Sequence, residues 1–321
     1  MAAALDVVIP VHNGWDLTKS CLEHLAAQTV PHTTIVCDNG STDGTPDRLR
    51  ESFRDVRLVE LGANVGFPTA CNRGANAGSG EVVVLLNNDV ECRPDFLERL
   101  VARLAASERL GSIAALLLMP GEERIESFGL AVDPTLAGYP RLRGAPSHTA
   151  QAADPVLIGP SGAAGAYRRT AWDEVGGLDE GVFAYAEDVD LALRLRAAGW
   201  ATAAARDAVA VHIGSASAVT RSEWQRYQGG FARAYFLRRY GILRGREALR
   251  TLATEGIVVV GDAAVYSHDL AAFRGRLAGW RAAGGKPRAP RPPREAIDRR
   301  ITFLKSLKLR RAVYSGASTS S

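Results

Sequence analysis

The run Val82–Leu86, Val-Val-Val-Leu-Leu, admits few folds. No polar residue interrupts it, so a strand built from it must be covered on both faces. Similar runs stand at residues 5–9 (LDVVI), 33–38 (TTIVCD), 56–61 (VRLVEL) and 111–119 (GSIAALLLM). Helical patterns separate them. Leu17, Cys21, Leu22 and Leu25 share one face. Thr45-Pro46 opens a second helix with a hydroxyl cap and proline in the first turn. Residues 62–80 read as a loop plus a small-residue helix. A further helix starts at about Pro94. The order β-α-β-α-β-α-β with near-continuous apolar strands predicts an α/β fold, its mostly parallel central sheet covered by helices on both faces.

Residues 120–155 break this rhythm with Pro, Gly and Ala and read as a loop or small hairpin excursion. A helix is expected from about Asp188 to Gly199, then a last strand over 201–214. Beyond Thr220 the pattern is helical up to residue 283. GGKPRAPRPPREA is a linker by composition. A basic amphipathic helix, Ile297 to Val313, and a frayed end follow. The expected organisation is a main α/β part, 1–218, made of segments 1–119 and 155–218 around the excursion. A helical region, 219–285, and a basic tail, 286–321, complete it.

Hydrophobic residues make up 46% of the 321 and charged residues 23%, which excludes disorder over most of the chain. The net charge is +4, but cations crowd into Arg274–Arg311. Such a tail suits an anionic partner, or simply a solvated helix face. Cys21, Cys37, Cys71 and Cys92 form no CxxC pair, so a reducing environment with buried thiols is expected. The N-terminal residues lack a leader pattern, and no window approaches the roughly 18 apolar residues of a membrane span. The expected location is cytoplasmic, with peripheral contact at the inner face of the plasma membrane as an extension. Basic and aromatic residues do not interleave as in nucleic-acid binders. The helical C-terminal region leaves a homodimer open.

Ligands of an open α/β sheet sit at the carboxyl ends of its strands. Pro10-Val11-His12-Asn13 ends the first strand and Asp38-Asn39-Gly40-Ser41-Thr42-Asp43 the second. Asn64, Gly66, Asn72 and Arg73 follow the third, and Asn87-Asn88-Asp89 ends the fourth. One such end is an ordinary turn; four on one edge make a pocket. Neither a GxGxxG turn nor a GxxxxGK[ST] loop is present. A pocket that handles phosphate without a glycine cradle needs another device, and a carboxylate-held divalent metal is the usual one. Asp89 can supply one ligand and His212 another; oxygen plus imidazole suits Mg²⁺ or Mn²⁺.

VVIPVHN, CDNGSTDGT, NVGFPTACNRGANAGSGEVVVLLNND and GGLDEGVFAYAEDVDLALRLRAAGW together resemble glycosyltransferase family 2, in its bacterial rhamnosyltransferase-like branch. The resemblance spans about residues 5–215. It implies a GT-A fold and inverting transfer of a sugar from a nucleotide diphosphate donor, with a catalytic domain over 1–218, nucleotide-sugar binding in 1–119 and acceptor binding and catalysis in 155–218. Under it, Pro10, Val11 and Asn13 line the base pocket. Asp38 accepts from the pyrimidine ring N–H, and Asn39 stands where many relatives have a second Asp. Asn64, Gly66 and Asn72 lie near the nucleoside, and Arg73 near a phosphate. Asn87-Asn88-Asp89 takes the Asp-x-Asp position, with Asn in place of its first Asp. His212 completes the metal shell. Asp188, beside Glu187, is the catalytic base. Ser161, Gly162 and Gly165 border the donor sugar and acceptor, and Trp172 and Tyr185 are candidates to stack on a sugar.

An inverting displacement needs a carboxylate to take the acceptor hydroxyl's proton. A helix N-terminus would lower the pKa of Asp188, so burial or Glu187 must keep it basic. Each residue also has a plainer reading: DNGSTDGT as a turn, Glu187-Asp188 as a helix cap, Trp172, Trp200 and Tyr185 as core. The tail helix, with Arg299, Arg300, Lys305, Lys308, Arg310 and Arg311 against Ile301, Leu304 and Leu307, can dock on the domain or lie on an anionic membrane. The expected donor is a UDP- or dTDP-sugar, dTDP-rhamnose first, and the acceptor a glycan, lipid-linked or small-molecule hydroxyl. The alternatives are a nucleotidyltransferase, which would need a glycine-rich basic signature after the first strand, and a catalytically silent nucleotide- or glycan-binding module.

Overall fold

The structure is a computed structural model. It describes residues 4–151, 156–214, 222–266 and 268–315, with the side chains of 151 and 311–315 left out. The elements run β1 (Leu5–Val11), α1 (Trp15–Ala26), β2 (Thr33–Asp38), α2 (Thr45–Ser52), β3 (Arg57–Glu60), α3 (Phe67–Ala77), β4 (Val82–Leu86), β5 (Val90–Cys92), α4 (Phe96–Ala105) and β6 (Leu110–Leu118). Then come β7 (Ile125–Ser127), β8 (Leu130–Val132), β9 (Gly138–Pro140), β10 (Ala164–Arg168), α5 (Arg169–Val175), α6 (Glu187–Ala197) and β11 (Ala201–His212). Four helices close the chain: α7 (Glu223–Arg239), α8 (Ala248–Val265), α9 (Ala271–Ala282) and α10 (Phe303–Ser315).

The expected βα alternation forms one half of the sheet, in the parallel order β3-β2-β1-β4. Every residue of β4 is buried, as its unbroken apolar run requires. The order then continues β10-β6-β11-β5, and β10 is antiparallel to both its neighbours. The SGAAGAYRR segment is therefore a strand in mid-sheet as well as the tight loop expected before it. Because β10 runs opposite to β4, the loop Ser161–Ala163 that precedes it stands at the carboxyl end of β4, where Asn87 N–H donates to Ala163 C=O at 2.9 Å. The excursion at 120–155 supplies β7 and the β8–β9 hairpin.

Glycine sets the packing of α7 on α9. A Cβ on Gly275 or Gly279 would lie 2.0 Å from the carbonyl oxygen of Tyr227 or Phe231, so the two backbones touch. α10 begins at Phe303, six residues after the expected start, because Asp298 accepts from the Arg300 backbone N–H in a turn that precedes it. The helix docks on the hairpin. Ile301 and Leu309 pack with Ala131 and Tyr139, and Ser306 Oγ donates to Asp133 Oδ2 at 2.7 Å. Arg310 enters a buried cluster in which Arg233, Arg276 and Arg310 share Glu255. Three guanidiniums outweigh the burial of that carboxyl and hold its pKa well below the usual range. The boundary expected at residue 218 falls in 215–221, outside the described residues, as do the end of the tail helix's side chains and the final residues.

Candidate active site

Four loops meet where β1, β2 and β4 end. Asn13, in the left-handed region at φ 62°, joins the first to the second: its backbone N–H donates to Ser41 Oγ at 2.8 Å and its Oδ1 accepts from Thr42 N–H at 2.8 Å. Asp38 is buried. Its Oδ2 accepts from the backbone N–H groups of Gly40 and Ser41, at 3.2 and 3.1 Å, while its Oδ1 has no partner. The turn reading and the ligand reading thus take one oxygen each. An unsatisfied buried acceptor costs about 1–3 kcal/mol, which a ligand N–H at this spot would relieve. Asn87 Oδ1 and Glu187 Oε2 are further buried acceptors without a partner at the same rim.

Several residues expected to touch the donor are occupied elsewhere. Asn39 Nδ2 donates to Asn64 Oδ1 at 2.9 Å and its Oδ1 accepts from Val65 N–H at 2.8 Å, so it tethers the 64–66 loop. Asn72 clamps the 178–180 segment through Leu178 and Glu180. Asn88 Nδ2 donates to Thr18 Oγ1 at 2.9 Å and reaches Asn13 C=O at 3.5 Å, so it ties the end of β4 to the loop after β1. Gly165 is sheet interior, where a Cβ would lie 2.3 Å from Pro160 Cβ. Trp172 is 2% exposed and packs edge-on against Tyr167, with ring centroids 5.4 Å apart. Both are corrections to the sugar-contact expectation: β10 and α5 carry these residues under the sheet and not to its rim. Arg73 is exposed on α3 and forms no ion pair among the described residues. Gly66 belongs at the rim, its backbone pressed against Phe183, where Phe67 N–H donates to Phe183 C=O at 2.8 Å.

His212 ends β11 between two carboxylates. Its Nε2 lies 3.0 Å from Asp89 Oδ1 and its Nδ1 lies 2.7 Å from Glu126 Oε2. Burial pushes the imidazole down, but the two acids outweigh it and raise the pKa to about 10. Glu126, on β7, escaped the sequence reading; only its place in the fold connects it with His212. A carboxylate on the far nitrogen orients a metal-ligating histidine and raises its basicity. Gly214 lies against Asp89, for a Cβ there would stand 2.0 Å from Oδ2. A divalent metal that displaces the proton on Nε2 would find one carboxylate, Asp89, and one imidazole, His212, as donors. Among the described residues no group of three or more His, Cys, Asp or Glu makes a full protein cage. That suits a cation held largely by substrate phosphates.

The other wall is the head of α6. Tyr185 and Ala186 both adopt left-handed backbone, φ 75° and 61°. Such residues cost on the order of 1 kcal/mol each. The turn delivers Glu187 and Asp188 to the backbone of Gly162, whose N–H donates to Asp188 Oδ2 at 2.9 Å. A Cβ on Gly162 would stand 3.4 Å from that oxygen and 3.5 Å from Glu187 Oε1. Asp188 Oδ1 accepts from Val189 N–H at 2.7 Å inside the first turn of α6; the residue at the cap position is Ala186, so the helix-cap reading of Glu187-Asp188 does not hold. Burial raises the pKa of Asp188 despite these bonds. Glu187 rises from 4.5 to about 8, through burial first and the Asp188 charge second. A helix N-terminus contributes only about 0.3–1 kcal/mol in the opposite direction, so burial wins.

Asp188 borders a cavity of about 310 Å³ between α6, the β8–β9 hairpin and helices α7–α9, lined mainly by apolar groups such as Leu136, Val189 and Phe236, with Arg226 and Arg276. Tyr185, 38% exposed, stands beside Trp224 at 6.3 Å, and Phe183 meets Trp224 edge-on. Trp224 is a second residue the sequence reading missed, since its element lies far along the chain. Ser161 stays at the rim and supplies an oxygen to Ala163 N–H at 3.4 Å.

Over 219 residues the chain is 32% identical to the N-acetylglucosaminyl-diphospho-decaprenol L-rhamnosyltransferase of Mycobacterium tuberculosis, spanning 57% of this chain and 66%, just under two thirds, of that protein. It is 31% identical over 226 residues to the O-antigen biosynthesis protein RfbC of Myxococcus xanthus, covering 66% of this chain and 17% of the other. Among solved structures it resembles GalNAc-T7 with UDP, GalNAc and Mn²⁺, with TM-score 0.53, 15% identity and coverage of 73% and 51%. It also resembles the mannosyltransferase PcManGT of Pyrobaculum calidifontis in complex with GDP-Man and Mn²⁺, with TM-score 0.50, 19% identity and coverage of 88% and 86%. The fold is GT-A. The sequence profile of Glycosyl transferase family 2 matches residues 6–176, more than half of the sequence, and the chain belongs to that family.

Proposed function

We propose that the chain is an inverting glycosyltransferase that moves a sugar from a UDP- or dTDP-sugar to a hydroxyl on a glycan, with a lipid-linked acceptor and dTDP-rhamnose as the leading pair. The observation that carries this is the Asp188 carboxylate. It is fixed by two backbone N–H groups, kept basic by burial, and set at the mouth of a cavity. The acceptor hydroxyl gives its proton to Asp188 as its oxygen attacks the anomeric carbon. The bond from that carbon to the donor phosphate breaks, and the nucleoside diphosphate leaves from the opposite face. Retention would need a second carboxylate as nucleophile. Glu187 is the neighbour, and burial keeps its proton on near neutral pH. Asp38 Oδ1 is positioned to accept the base N–H. Mg²⁺ or Mn²⁺, held by Asp89 and His212, would neutralise charge on the leaving diphosphate. In this reading the part up to 218 binds donor and catalyses, helices α7–α9 wall the acceptor cavity, and Arg310 of α10 braces that wall through Glu255. The relative's decaprenol-linked substrate and the largely apolar cavity support the lipid-linked acceptor.

The test is a panel of UDP, dTDP, GDP and their sugars with Mn²⁺ or Mg²⁺, read by thermal stabilisation and product formation. Asp188→Asn should keep nucleotide stabilisation and lose about 10²- to 10⁴-fold in turnover. Indifference to every pyrimidine nucleotide, or full turnover in the variant, would sink the proposal and favour the silent-module reading.

A further inference from the structure

Helix α8 is built inside out. Its inward face carries Thr251, Thr254, Glu255 and Asp262, all buried. Its outward face carries Leu249, Leu252, Ala253, Gly256, Ile257, Val260, Gly261, Ala264 and Val265 without one charge. Leu249 is 82% exposed, Val260 69% and Val265 74%. A surface helix normally shows the opposite arrangement. The polar interior is accounted for by arginines: Glu255 binds Arg233, Arg276 and Arg310, and Arg226 pairs with Asp262. Nothing internal accounts for the apolar exterior. Exposed Leu270 and Phe273 continue it beyond Val265, and Leu304 of the adjoining α10 is 69% exposed.

The charges around this face identify what covers it. Between residues 244 and 310 there are fifteen arginines and lysines against six acids, although the whole chain carries only +4. Arg244 and Arg246 precede α8, and Lys308 sits on α10, which is tied to α8 through Arg250 Nη2 and Ile301 C=O at 2.7 Å. These three cations are exposed and form no ion pair among the described residues. Two copies meeting through this face would bring like charges together. An apolar strip rimmed by unpaired cations matches an anionic bilayer surface, into which the side chains dip while the cations meet headgroups. No described helix is long and apolar enough to cross a membrane, so the contact lies along the surface. Of the two readings open for the tail helix, docking on the domain describes Ile301, just before it, and Leu309, which pack inward, while Leu304 stays on the outer side.

We infer that the outer face of α8, extended by Leu270 and Phe273, is a docking surface for anionic lipid bilayers. The full chain should co-sediment with vesicles of equal parts phosphatidylglycerol and phosphatidylcholine, and far less with pure phosphatidylcholine. The double variant Leu249→Ser/Val260→Ser should bind on the order of tenfold more weakly with an unchanged thermal midpoint, since both side chains are exposed. Arg246→Glu/Lys308→Glu should weaken binding to anionic vesicles only, by about fivefold for each cation reversed or more. Equal binding of the serine variant would overturn the inference. So would a dimer in sedimentation velocity that the serine variant dissociates while vesicles stay unbound, or capture of duplex DNA with no vesicle binding. None of these readouts uses sugar transfer, so failure here leaves the proposed activity untouched, and the reverse.

Discussion

Glu187→Gln isolates the proton that the buried pair carries. Glu187 is 8% exposed, its Oε2 lacks a partner, and its pKa rises from 4.5 to about 8 through burial and then the Asp188 charge. Between those two values the folded chain holds a proton that the unfolded chain has released. Stability therefore falls as pH rises through this window and levels off above it. A tenfold change in proton affinity corresponds to about 1.4 kcal/mol. At pH 5.5 the unfolded carboxyl is already about one pH unit past its midpoint, which gives a loss of about 1.4 kcal/mol; at pH 8 the loss reaches about 4 kcal/mol. Glutamine keeps the shape and cannot ionise. The stability difference between variant and wild type should move in favour of the variant by about 3 kcal/mol from pH 5.5 to pH 8. Urea unfolding of both proteins at the two pH values measures it, and comparing the proteins cancels the titrating groups remote from the site, leaving the Glu187–Asp188 pair as what is read. Turnover near pH 7 should survive, because the wild-type side chain is then also neutral. A difference that stays constant with pH would show that Glu187 ionises like an exposed carboxyl, and the account of the pair would fail with it.

Two further outcomes follow from the packing. Glu126→Gln should raise the Mn²⁺ concentration for half-maximal nucleotide binding about 10- to 100-fold, because the amide orients the His212 ring less strongly; titration by calorimetry with UDP present checks this, and an unchanged metal requirement would remove Glu126 from the site. Trp172→Ala should destabilise the fold by about 3–5 kcal/mol, as a buried aromatic does, without a selective effect on donor affinity in the folded fraction; a change in donor KM at full stability would restore its sugar-contact role.

The local reading and the tertiary one divide at identifiable residues. Unbroken apolar runs such as Val82–Leu86 have only one common solution, a strand covered on both sides, so β1, β2, β4 and β6 were legible from composition alone. Strand ends followed from the same argument, which is why Asp38 and Asp89 were expected at the carboxyl edge of the sheet; Asp188 entered only through the family resemblance. Asn13, Asn39, Asn72 and Asn88 look like ligand contacts in sequence, yet their amides serve loops and helices. A side chain's direction depends on neighbours up to 108 residues away, as in the Asn72–Glu180 bond. Trp172 and Gly165 were misplaced for a related reason: β10 runs antiparallel in mid-sheet, and strand order is a long-range property that local pattern does not encode.

What the sequence determined by itself was the alternation of short, period-limited elements, because burial of each run is a local demand. It also determined which residue types stand at the carboxyl ends. The tertiary structure alone decided that Glu126 meets His212, that Gly162 lies across the Glu187 and Asp188 carboxylates, and that α8 turns its acids inward. Each of these depends on the free energy of pairs distant in the chain. An arginine cluster drawn from α7, α9 and α10 makes it favourable to bury Glu255, and the burial of Glu255 leaves the leucines and valines of α8 facing out.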